Sequence, residues 1–177
     1  MLAGCASWKG YIQQQQQNEK EVIQSVASML FVARDIAAAQ ERYFEQNYRY
    51  AGKISDLDVQ IPAEVCSHID YANYQLTDSG DLLTCGKDFI IDNFAISGAV
   101  YLNFCPNHTN TWKSCTDRRV LRLDYNLRYN DTWPNSHWCT VFNYSHPNYN
   151  AHDICSKFTG FVERSSSNIQ IQPKGMK

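Results

Sequence analysis

Ala37-Ala38-Ala39-Gln40-Glu41-Arg42-Tyr43-Phe44, followed by Asn47-Tyr48-Arg49-Tyr50 and Ile54-Ser55-Asp56-Leu57-Asp58, is the stretch on which the fold turns. Upstream of it, no Pro or Gly interrupts residues 13–46. Val22, Val26, Met29, Leu30, Ala33, Ile36, Ala37, Gln40 and Phe44 recur at steps of three and four, the period of an amphipathic helix. A helix over residues 9–47 is therefore expected, with Val22, Val26, Leu30, Ala33, Ala37 and Phe44 packing inside the chain. At 1.5 Å per residue it is roughly 50 Å long, longer than a domain of this size is wide. Its apolar stripe is dense only after Val22. Residues 1–21 are thus expected to form a protruding half and residues 22–177 the globular domain. The tract Gln13 to Gln17 suits an exposed helix, and a low-complexity linker is its competing reading.

Beyond the helix the pattern changes. Gly52 offers a turn, and Pro62 closes an extended segment over 57–61. Strand-like runs follow at 71–76, 88–91, 98–104, 120–125 and 138–142. Asp78-Ser79-Gly80-Asp81 reads as the turn between the first two. Val100, Leu102 and Phe104 alternate with Tyr101 and Asn103, and Leu121 and Leu123 alternate with Arg122 and Asp124. That period of two predicts an antiparallel sheet with one buried face, and the helix stripe is its natural cover. Residues 163–177 are polar and read as an edge strand or a frayed tail. The fold class is α+β, a long N-terminal helix on an antiparallel sheet.

With 177 residues the chain can bury one core, and its net charge of −2 has no basic run to draw nucleic acid. Eleven Tyr, eight Phe and four Trp accompany few charges, and the mean hydropathy of −0.48 is that of a soluble domain. Met1 to Trp8 are small and apolar, too short to cross a bilayer. They read as the end of a longer hydrophobic segment.

The run from Ile36 to Phe44, with Asn47-Tyr48-Arg49-Tyr50 and Ser55-Asp56-Leu57-Asp58, resembles the helix end and following loop of type IV pilins and type II secretion pseudopilins. Cys139 and Cys155, with Asp153-Ile154-Cys155-Ser156-Lys157 and Gly160, resemble the family's C-terminal disulfide loop. The likeness covers about residues 20–62 and 138–160. Two departures stand out. The family's cleavage site and apolar half-helix carrying a Glu are absent, and Trp8-Lys9-Gly10-Tyr11 stand near where its helix carries a Pro. The resemblance implies a filament subunit that assembles through its N-terminal helix with like or related subunits. It rests in the inner membrane before assembly and ends in the periplasm or on a cell-surface filament. A small-molecule substrate, a cofactor and a catalytic residue are not expected.

Leu2-Ala3-Gly4-Cys5 also fits the bacterial lipobox, in which Cys5 carries lipid. On that alternative reading the chain is an envelope lipoprotein with a disulfide-rich binding domain. A chance cysteine in a short apolar stretch is the plainer account.

The six cysteines from Cys66 to Cys155 suit an oxidising compartment. They allow 15 connectivities, among which local loops favour Cys66–Cys85, Cys105–Cys115 and Cys139–Cys155. Such cross-links suit a subunit exposed to proteases and shear. His137, Cys139, His146, His152 and Cys155 supply zinc-type ligands, but at spacings of no recognised zinc module, so no metal is expected. Asp56 with Asp58, and Asp78 with Asp81, sit in turn-like sequence. Asn107-His-Thr109, Asn130-Asp-Thr132 and Asn143-Tyr-Ser145 fit the N-glycosylation pattern, an ordinary coincidence in an Asn-rich bacterial surface.

Overall fold

The fold is that of a computed structural model, which describes residues 3–68, 80–95, 97–109, 111–125, 137–142 and 147–165, with side chains of the first helix from Trp8 onward. Helix α1 runs over Ala3–Asn47, 45 residues, starting earlier than the periodicity alone suggests because Gly10 lies within it unbroken. It ends where Tyr48 takes a left-handed conformation (φ 55°) and donates its N–H to the Phe44 carbonyl at 2.8 Å. Asn47 Nδ2 caps the Tyr43 carbonyl at 2.9 Å. A short 3₁₀ turn at Ile54–Asp56 follows; the expected extended segment 57–61 joins no sheet.

Seven strands then form one sheet in chain order. They are β1 (Cys66–His68), β2 (Gly80–Cys85), β3 (Phe89–Phe94), β4 (Ala99–Phe104), β5 (Leu121–Tyr125), β6 (His137–Val141) and β7 (Phe161–Ser165). The pairs β1 to β6 are antiparallel, and β6–β7 is parallel. The expectation of a wholly antiparallel sheet is corrected there. A parallel pair needs a crossover rather than a hairpin, and the connection from Phe142 to Gly160 provides it through helix α3 (Ala151–Cys155).

Two further corrections have a physical basis. Gly80 and Asp81 open β2 rather than forming a turn. Leu82 and Leu83 are both buried but face opposite ways, Leu83 into the main core and Leu82 into a small one with Ile90, Cys105 and Cys115. A strand covered on both faces loses the alternation that marks a half-exposed one. The second cover is helix α2 (Trp112–Arg118), capped by Thr111 Oγ1 accepting from Ser114 N at 3.1 Å. Asn150 Oδ1 caps α3 in the same way, accepting from His152 N at 3.1 Å. The predicted strand at 71–76 lies outside the described residues.

The main core lies between α1 and the sheet. The helix crosses the sheet's centre, chiefly over β4. Val22, Val26, Ala33, Ile36, Ala37 and Ala39 are buried against Leu83, Ile91, Val100, Leu102, Leu121 and Leu123. Leu30 and Phe44 are only partly buried, yet both pack within the chain, Leu30 against the core and Phe44 on Tyr50 of the following loop. Each fully buried Val, Leu or Ile contributes about 1.5–3 kcal/mol, so this one interface decides where the helix lies.

Candidate assembly interface

The quoted stretch proves to be a joint, in which Gln40, Arg42, Phe44 and Tyr50 each make a distinct contact. Gln40 is fully buried on the core stripe. Its Oε1 accepts from Ala51 N at 2.8 Å, while its Nε2 donates to Ala51 O at 2.8 Å and to Asn93 Oδ1 at 2.7 Å. One side chain thereby ties the helix to the loop behind it and to β3. Buried amides without such partners cost about 1–3 kcal/mol each. Two residues on, Arg42 grips Asp58 with two bonds, Nε to Oδ2 at 2.7 Å and the second terminal nitrogen to Oδ1 at 2.8 Å. The hydrogen bond from Arg42 holds the Asp58 carboxyl below its usual range. That pair is exposed, and its worth lies in fixing geometry rather than in stability.

Phe44 packs on Tyr50 with ring centres 4.7 Å apart and ring planes tilted by 33°. The Tyr50 ring in turn lies against Gly98 (φ +67°), where any Cβ would stand 2.3 Å from it. Finally Asp81 Oδ2 accepts from Ile54 N at 3.0 Å, anchoring the 3₁₀ turn to β2. Gln40, Arg42 and Phe44 on the helix thus find Ala51, Asp58 and Tyr50 in the loop. This complementarity explains why helix end and loop have to be read together.

The three disulfides join Cys66–Cys85, Cys105–Cys115 and Cys139–Cys155, the same sequential pairs expected from the sequence. Each has a topological task. The first closes edge strand β1 onto β2, where the two cysteines stand directly opposite. The second pins α2 to the outer face, and the third pins α3 to β6 across the parallel crossover. Cys139 and Cys155 are therefore not available as thiolate ligands. Of the histidines, His137 stacks on Tyr125 at 4.3 Å, and His152 Nδ1 lies 2.7 Å from Glu163. Asn107 sits exposed in a left-handed turn (φ 55°). His146, Asp78, Asn130 and Asn143 lie outside the described residues. Cys5 falls within α1.

Sequence reading missed a charge cluster on the sheet's outer face, although the alternation of Arg122 and Asp124 with Leu121 and Leu123 signals it. Asp124, 1% exposed at its side chain, accepts from both Arg122 and Arg164. Arg164 Nε also donates to Thr140 Oγ1 at 2.8 Å, and its guanidinium lies 4.9 Å from the Trp138 ring. Asp92, beside this cluster, is pushed up to about 7 by burial, which outweighs the pull of Arg122 and Arg119. Between pH 4 and 7 the folded chain thus keeps a proton that the unfolded chain releases, so this group's contribution to stability falls as pH rises. Asp92→Asn is expected to gain up to about 4 kcal/mol over the parent in going from pH 3.5 to pH 8, at 1.36 kcal/mol per pH unit. Comparing the two proteins at each pH cancels the opposite trend of His108 and His137, which burial keeps neutral. Thermal unfolding at both pH values checks it, and a pH-independent difference contradicts it.

The helix also presents unburied apolar groups. Trp8 is 65% exposed, Tyr11 54% and Phe31 64%. Trp8 and Tyr11 stack with centroids 6.1 Å apart. None of the described α1 side chains before Val22 is buried. The first half is not wholly unaccompanied, however, because the Tyr11 hydroxyl reaches the Pro147 carbonyl at 3.4 Å. Phe31, Arg34, Asp35, Ala38, Glu41 and Tyr125 line a shallow groove of about 520 Å³ on the helix flank. Among the described helices, α1 is long and apolar enough by length and composition to cross a membrane. Its buried apolar residues, Val22, Val26, Ala33, Ile36, Ala37 and Ala39, are, however, used against the sheet.

No protein-family model matches this chain, and comparisons with curated proteins and with solved structures find no match either. Function must therefore be argued from the geometry.

Proposed function

We propose that the chain is a structural subunit of a type IV pilus- or pseudopilus-like filament, assembling through its N-terminal helix. The observation carrying this reading is the division of α1. Its second half is locked to the sheet and to the following loop by Gln40, Arg42 and Phe44. Its first half runs on beyond the core with Trp8, Tyr11 and Ile12 exposed. A stiff helix fixed at one end and unspent at the other is a device for association. Three disulfides holding the surface elements support a home outside the cytosol. The seven-stranded sheet is larger than in a typical pilin.

On this reading the partners are other pilin-like subunits, of the same or a related chain, and the inner membrane holds the subunit before assembly. No reaction is assigned to it. Intact-mass analysis of the protein from its native envelope is the test. A mature chain whose helix begins with a long apolar segment supports the filament subunit. A diacylglycerol-bearing mature N-terminus at Cys5 would replace it with the anchored lipoprotein.

A further inference from the structure

We propose that the outer face of β5, β6 and β7 binds a polysaccharide bearing carboxylates, which Arg119, Arg122 and Arg164 hold by its uronate groups. This face lies on the side of the sheet away from α1, so the inference does not depend on the filament reading. The strand register sets out two rows there, Tyr101, Asp124, Trp138 and Val162 in one and Asn103, Arg122, Thr140 and Arg164 in the other. Helix α2 covers Leu82 and Ile90 on the same side, while α3 packs into the main core on the opposite side through Ala151 and Ile154. Tyr101, Arg122, Trp138 and Arg164 are half-buried, and Val162 is 56% exposed.

Each guanidinium lies on an aromatic ring. Arg119 is 3.7 Å from the centre of Phe142, Arg122 4.4 Å from that of Tyr101 and Arg164 4.9 Å from that of Trp138. Arg122 is also 5.9 Å from Phe142, so rings and guanidiniums alternate along a track and do not gather at a point. Such a track suits an extended polymer. Arg122 spends Nε and Nη2 on Asp124, and Arg164 spends Nε on Thr140 and Nη2 on Asp124. Nη1 of each has no partner among the described residues and is not buried. The carboxyls nearby do not cancel these charges. Asp124 is covered and serves two arginines at once, and Asp92, pushed up to about 7 by burial, is about half neutral at pH 7. A chain of net charge −2 thus carries a locally positive face.

Arginines already held by stacking and hydrogen bonds lose little freedom on binding, and their planar forks match carboxylates. Nucleic acid fits less well, because its bases need open ring faces to stack on, and guanidiniums already lie on these rings. An acidic peptide must be ordered as it binds, whereas a pyranose ring is rigid beforehand.

Titration calorimetry on the full, oxidised chain at low salt tests this, with oligogalacturonate as the probe and its methyl ester as the uncharged control. The acid is expected to bind about tenfold or more tighter than the ester. Val162→Glu and Val162→Lys change only an exposed side chain at the end of the Trp138 row, so both are expected to melt like the parent. Across about 7 Å of solvent one charge is worth about threefold in affinity. Glu is expected to weaken binding by that factor and Lys to tighten it. Arg164→Lys keeps the charge but loses the fork, and is expected to weaken binding by about tenfold or more. Equal binding of acid and ester, Val162 variants that bind alike, Arg164→Lys binding like the parent, or no binding at about 10 mM oligomer would each overturn the proposal. Tighter binding of polyglutamate or of a single-stranded oligonucleotide at matched charge would overturn it too, assigning the face to a peptide or a nucleic acid.

Discussion

Full reduction of the three disulfides is expected to lower the melting temperature by about 20–30 °C. The closed loops separate residues 19, 10 and 16 apart in sequence. Loop-closure entropy gives each about 3 kcal/mol. The loops do not overlap along the chain, so their contributions add to first order. The total of about 9 kcal/mol compares with the 5–15 kcal/mol that stabilises a typical domain, and at this size each kcal/mol shifts the midpoint by about 2–4 °C. The Cys139–Cys155 bridge adds to the burial of Ala151 and Ile154 in the main core, which already holds α3 at the β6–β7 crossover. Circular dichroism melts with and without reductant measure this, and a shift below about 5 °C would mean the fold does not depend on its bridges.

The second large effect is expected from Gln40→Leu, costing about 2–4 kcal/mol. Leucine fits the volume and belongs in an apolar stripe, so a packing argument alone predicts little change. What is lost is the set of three hydrogen bonds to Ala51 and Asn93. The Ala51 N–H is left buried without its acceptor, whereas its carbonyl keeps the longer bond from Asn93 Nδ2 at 3.3 Å. Leaving a buried donor unmet costs more than a hydrogen bond gains. Chemical denaturation gives the magnitude. Hydrogen exchange at the Ala51 amide gives the location, and an unchanged rate there would show that Gln40 is not the latch.

Why some of this was legible in the sequence, and some not, follows from the physics of each element. The helix announces itself because its stripe is sampled nine times at one period, and Gln40 falls on that stripe. Position was readable, but role was not. A buried glutamine is identified only by its partners, which lie 11 and 53 residues away. Strands β4 and β5 alternate and were visible. Strand β2 was not, since α2 covers its second face and erases the alternation. Helices α2 and α3, at seven and five residues, are too short for periodicity, and only their caps at Thr111 and Asn150 mark them. The parallel β7 depends on a crossover that no local signal encodes. The raised carboxyl of Asp92 depends on what covers it, which sequence does not show.

On the proposed filament reading, the joint at Gln40–Asp58 fixes one end of this helix so that the exposed stripe at Trp8–Ile12 can bind its like. Immunogold electron microscopy on native cells, with antibodies raised against the folded oxidised chain, tests that claim most directly. The account predicts label along or at the tips of envelope filaments, lost when the subunit gene is deleted. Label spread evenly over the envelope, with no filament beneath it, would contradict the account.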